Sequence, residues 1–135
     1  MGATALLKVG DVMRGDFVVI DADEPLIKAA SLFSETDADV IVVLSGGKVL
    51  GVLTERSLLR PKVNLAQTKC RTFAVPSPRI TPDDPVTRAA RLLMENNLKA
   101  APVVNENGEP VGLVSVMDLV TSVPHVFSRL KVRDV

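Results

Sequence analysis

Ser115-Val116-Met117-Asp118 places a hydroxyl three positions ahead of a carboxylate, directly after Gly112-Leu113-Val114. Two kinds of chemistry fit that spacing. In one, the pair is a capping box, whose side chains accept hydrogen bonds from the orphan N–H groups at a helix start. In the other, Asp118 aims its two acceptor oxygens at a pair of vicinal hydroxyls such as a ribose 2′,3′-diol, which offers two matching donors. Sixty-one positions earlier, Gly51-Val52-Leu53-Thr54-Glu55-Arg56-Ser57 repeats the arrangement with Ser57 where the carboxylate would be. A neutral hydroxyl has one oxygen and cannot receive both diol hydrogens in the same way.

Little else in the sequence carries chemistry. His125 has no acid or cysteine close by and reads as a solvent-facing histidine rather than a catalytic base. Cys70 is the lone cysteine, which excludes an internal disulfide and fits a reducing compartment; it reads as a buried small hydrophobe. No nucleophile–base pair, metal-ligand spacing or glycine-rich phosphate loop stands out, so no enzyme, metal or cofactor is expected. Sixteen acids balance sixteen bases, which leaves no global field for nucleic acid or an anionic membrane. Arg60, Lys62, Lys69 and Arg71 lie in a stretch, 60–71, without acidic residues and read as an exposed connector. Without Trp or Tyr, and with four Phe, base-stacking platforms are scarce, and nucleic-acid binding is a minor alternative. No apolar run approaches the roughly 18 residues of a membrane span, and the expectation is a cytoplasmic protein.

The elements that must position Asp118 are legible because the chain is doubled. "DEPLIKAASLF" (23–33) lies over "DDPVTRAARLL" (83–93), and "VIVVLSGGKVLG" (40–51) over "AAPVVNENGEPVG" (100–112). Apolar positions 26, 29, 30, 33 and 86, 89, 90, 93 follow the stripe of a helix packed on one side. The helices are expected from Pro25 and Pro85, with Asp84 as a cap. Paired β-branched runs follow, at 40–44 with 49–53 and at 101–105 with 110–114, joined through Gly46-Gly47 and Asn107-Gly108 as hairpins. Thr54 and Ser115 each open a further helix. A first strand is expected at 17–20 and, less clearly, at 79–81. Each unit thus reads β-α-β-β-α. Met13, Met94 and Met117 are candidate core filler, and Asp21, Asp23 and Glu24 sit where a helix start favours acids.

These features resemble a tandem pair of cystathionine-β-synthase-type (CBS) domains, the Bateman module. The resemblance rests on "VGDVM", "DEPLIKAA" with "DDPVTRAA", "AAPVVNENGEPVG", and the closing "GVLTERSLL" and "GLVSVMDLV", in order and twice. It implies an α/β module of two repeats, residues 7–60 and 69–123, with a linker at 61–68, related by a pseudo-two-fold axis. It further implies a regulatory adenosine-nucleotide module, AMP or ADP being the expected ligand, and a homodimer. Ser115 and Asp118 would clamp the ribose, with Met13 and Val18 bordering the adenine, Ala38 ahead of the first hairpin, Met117 beside the clamp, and Lys99 and Ala100 approaching phosphate. A mirror cleft would use Thr54, Arg56 and Ser57, with Phe73 and Pro78 on its base side. It departs from the family pattern at Ser57, and Asp39 stands where the other copy has Lys99, so the second cleft is expected to be weak or empty. A ligand-free interaction scaffold and a nucleic-acid-linked regulator remain as alternatives. Residues 124–135 are either a tail or the start of a further repeat, since Lys8, Lys69 and Lys131 are spaced by 61 and 62.

Overall fold

Each repeat begins on its neighbour's territory. In the computed structural model, which describes residues 7–122, the lead-in helix α1 (Val9–Val12) packs against the second repeat, and its counterpart α3 (Cys70–Phe73) packs against the first. The exchange is symmetric in its hydrogen bonds. Val9 N–H donates to Asp84 O and Cys70 N–H to Glu24 O, each at 2.8 Å. Bridges Lys8–Pro85 and Pro25–Lys69 repeat the pattern, as do the ion pairs Lys8–Asp83 and Lys69–Asp23. Residues 124–135, with His125 and the possible third unit, lie outside the described residues.

Strand β1 (Val19–Asp21) pairs in parallel with β2 (Ile41–Ser45), which forms an antiparallel hairpin with β3 (Lys48–Leu53). The tight turn suits its residues, because Gly46 and Gly47 both take positive φ, the conformation a two-residue hairpin needs. The second repeat has only the hairpin β4 (Ala100–Val104) with β5 (Pro110–Ser115). The strand expected at 79–81 does not form. Pro78 and Pro82 flank it and cannot donate to a ladder, leaving Val104 N–H to Ile80 O, 2.8 Å, as the surviving strand-like bond.

The amphipathic helices α2 (Leu26–Glu35) and α4 (Val86–Glu95) cover the sheets with the expected stripes. Their starts correct the expected caps. Pro25 and Pro85 are the N-cap residues, and neither helix has a side-chain cap. Distant backbone does the work: Leu26 N–H donates to Thr68 O, at the end of the linker, and Val86 N–H to Leu7 O of the first repeat. Asp84 instead accepts from Thr81 N–H at 2.9 Å and faces Arg88, so it closes the preceding turn. After β3, the expected helix is only a 3-10 turn, Glu55–Leu58, in a segment that soon meets Pro61. After β5, helix α5 (Val116–Ser122) forms as expected.

Two apolar cores result, and each takes residues from both repeats. Val9, Val40 and Val52 join Leu93, Ala101 and Leu119 in one; Cys70 joins Leu26, Ile41 and Leu53 in the other. Cys70 matches Val9 and is fully buried, as expected of a small hydrophobe; burial pushes its thiol up to about 11. Met13 packs on a core, whereas Met94 and Met117 are exposed and are not filler. The connector's bases are partly spent. Arg71 donates to Asp23 at 2.9 Å and holds that carboxyl below its usual range, while Arg60 lies 5.1 Å from the centre of the Phe73 ring. No helix among the described residues is long and apolar enough to cross a membrane.

Candidate functional site

The two matching helix starts, a 3-10 turn in the first repeat and an α-helix in the second, carry different side-chain states. At Thr54 the capping box is closed: Thr54 N–H donates to Ser57 Oγ at 3.2 Å, the two hydroxyl oxygens are 3.2 Å apart, and Ser57 is 7% exposed. At Ser115 half of a box is present, since Asp118 N–H donates to Ser115 Oγ at 3.0 Å. The Asp118 carboxylate turns elsewhere. Its Oδ1 accepts from Arg14 Nε at 3.1 Å, and the same nitrogen lies 3.1 Å from Oδ2. Oδ2 is buried and accepts no hydrogen bond among the described residues. A shielded carboxylate oxygen without a donor is costly unless a partner completes it.

Arg14 reaches Asp118 because the first lead-in lies along β5. Arg14 and Leu113 exchange both backbone hydrogen bonds, at 2.8 and 2.9 Å. Gly112 permits that approach, for a Cβ there would stand 2.5 Å from Met13 Sδ and 3.0 Å from Arg14 O. Gly51 has the same task against Val75 in the first repeat, where the obstructing atom is a backbone carbonyl. The two glycines that open the repeated motif are therefore packing requirements.

A cleft of about 850 Å³ is lined by residues of both repeats. Lys99 and Asp39, which occupy matching positions in the two repeats, both line it, with Thr54, Glu55, Arg56 and Met117. This changes the expected electrostatics. Lys99 and Asp39 were assigned to separate clefts, one attracting and one repelling phosphate, whereas they share one whose two carboxylates, Asp39 and Glu55, balance two cations, Arg56 and Lys99.

The remaining predicted residues divide. Met13 stands beside Gly112, on the same lead-in as Arg14. Val18 packs into the first repeat's core, and Ala38 is half-buried with its N–H on Thr36 Oγ1 at 3.3 Å. Ala100 is sealed in the core beside Ser115's strand position, so its side chain does not line the open cleft. Phe73 packs on the first core under Arg60. Pro78 is not grouped with it: Pro78 lines a separate pocket of about 120 Å³ with Val49, Arg79 and Pro102. Sequence reasoning missed Arg14. Its register was available, because Arg14 and Val75 are offset by 61, as Asp118 and Ser57 are, and both pairs change character together.

Fold and site together define a two-repeat α/β module with exchanged lead-ins, a cleft lined by both repeats and one retained helix-start carboxylate. The family model for the CBS domain matches residues 9–63 and again 72–125, and the chain belongs to that family. It is 24% identical over 131 residues to an uncharacterized protein of Methanopyrus kandleri, covering 93% of this chain and 67% of that one. A CBS domain protein from Pyrobaculum aerophilum complexed with AMP has the same fold, with a TM-score of 0.80, 21% identity, and coverage of 90% of this chain and 97% of that one. The cytosolic domain of the Mg2+ channel MgtE in complex with ATP is also similar, with a TM-score of 0.74, 24% identity, and coverage of 86% and 48%.

Proposed function

We propose that this CBS pair is a regulatory module that binds an adenosine nucleotide, AMP or ADP, with Asp118 receiving the ribose diol. The observation that carries the reading is the Asp118 carboxylate, one of whose oxygens is buried without a hydrogen-bond donor. The similar folds complexed with AMP and with ATP support the ligand class. Lys99 lines the cleft with Val116 and Met117, the residues just before Asp118, and there it would meet a phosphate, although Asp118 itself is not among the lining residues. The site residues offer binding rather than bond-making: a carboxylate acceptor, a cation and apolar walls. Among the described residues no three His, Cys, Asp or Glu side chains group to hold a metal. A ligand held between two repeats favours the arrangement that completes its site and shifts the population by its differential affinity. Calorimetry tests this directly, with about one AMP per chain expected and no heat of binding from AMP or ADP contradicting it.

A second reading has its own observation. Met94 and Met117, which line the same cleft, are exposed at 57 and 63%, and Leu59 at 81%, apolar side chains of the kind a second copy would cover. On that reading the chain is a homodimeric interaction scaffold and its cleft takes no ligand. A thermal-shift series separates the two, because a specific ligand raises the melting temperature by mass action and a scaffold gains nothing.

A further inference from the structure

We propose that Arg14 is an internal competitor for the ligand: its guanidinium occupies Asp118 in the empty module and must move aside for a diol to bind. The inference rests on the nucleotide reading above and assigns a selectivity-setting role to a residue outside the repeated motif. The geometry is that of a hinged cover. Arg14 Nε stands 3.1 Å from both carboxylate oxygens, and Oδ2 is shut off from solvent although no donor bonds to it. Two vicinal hydroxyls need both oxygens, so they cannot reach their acceptors while the guanidinium stays.

The two partners are unequally held. The Asp118 side chain is 15% exposed and fixed in the first turn of α5, with its N–H on Ser115. The Arg14 side chain is 56% exposed, and its backbone is anchored to Leu113 on both sides. The arginine can therefore swing into solvent without disturbing the strand, while the carboxylate stays aimed. A pair so exposed on one side is weak, so displacing it costs a small factor rather than abolishing binding. Once displaced, the guanidinium lacks a partner unless the ligand brings an anion. A phosphorylated ligand supplies one and an uncharged nucleoside does not.

Arg14→Met removes the competitor and keeps the apolar stem. Adenosine, which has the diol and no phosphate, should bind this variant about two- to five-fold more tightly than the native chain, the range for an exposed ion pair. The AMP-to-adenosine affinity ratio should fall. Unchanged or weaker adenosine binding by Arg14→Met, with AMP still bound, overturns the competitor role and leaves the nucleotide reading standing. Failure of both chains to bind either ligand overturns the nucleotide reading and the competitor role with it. A ligand-free readout checks the starting state: the Arg14 Nε–H resonance should be protected from exchange in the native chain and lose protection in Asp118→Asn. If Arg14→Met does not fold, Arg14→Gln is measured in its place, with the same expected gain.

Discussion

Thr54–Ser57 and Ser115–Asp118 occupy the same place in two copies of one unit, yet they differ by a pair of side chains, not by one. In the second copy the carboxylate of Asp118 is met by Arg14, carried in on the exchanged lead-in. In the first, the position matching Arg14 is Val75, which bridges Val52 as Arg14 bridges Leu113, and Ser57 closes its capping box with Thr54. Charge faces charge in one copy; in the other a neutral hydroxyl bonds within its own capping box and the matching lead-in residue is apolar. The lesson is that a duplicated site diverges in units of an acceptor and its counter-group. Restoring the acceptor alone would leave a mostly buried charge without a partner.

The frame common to both copies gives the largest expected effect. Gly51→Ala should destabilise the fold by about 2–4 kcal/mol, because the new methyl meets the Val75 carbonyl and moving it strains two backbone hydrogen bonds. Gly112→Ala should cost less, about 1–2 kcal/mol, since its nearest obstacle is the flexible end of Met13. Urea unfolding of the two variants checks the order, and equal losses would mean that the kind of obstructing atom does not set the cost.

Ser57→Asp sharpens the comparison next. It should lower stability by about 1–3 kcal/mol through an unpartnered charge, and adding Val75→Arg should recover part of the loss. Calorimetry with adenosine should then show sites per chain rising from one toward two in the double variant, and a count that stays at one would show that more than this pair closes the first copy. The smallest effect concerns phosphate. Lys99→Ala should weaken AMP binding about five-fold and adenosine binding hardly at all, since it removes one of two cations that balance two carboxylates in the cleft. Similar losses for both ligands would assign Lys99 to the surface.

Most of this frame was legible in the residues. Helices α2 and α4 follow apolar stripes, and both hairpins follow β-branched runs broken by glycine, because local periodicity reports which face is buried. What periodicity cannot report is which repeat a segment packs on. The exchanged lead-ins, the backbone caps from Leu7 and Thr68, and the Arg14–Asp118 pair all join residues far apart in sequence. Asp84 was misassigned for that reason, since a nearby acid looks like a cap until a distant carbonyl takes the task. The cleft was hidden similarly: alignment shows that Asp39 matches Lys99 but not that the fold brings both to line one cleft.

The central claim is that Asp118 reads a ribose diol, and one double cycle tests it most directly. AMP and 2′,3′-dideoxy-AMP are titrated calorimetrically into the native chain and into Asp118→Ala. The account predicts that the substitution removes about 1.5–3 kcal/mol of AMP binding, as for hydrogen bonds to a charged group, and leaves dideoxy-AMP binding nearly unchanged. Equal binding of AMP and its dideoxy analogue by the native chain, or equal losses for both on substitution, would contradict it.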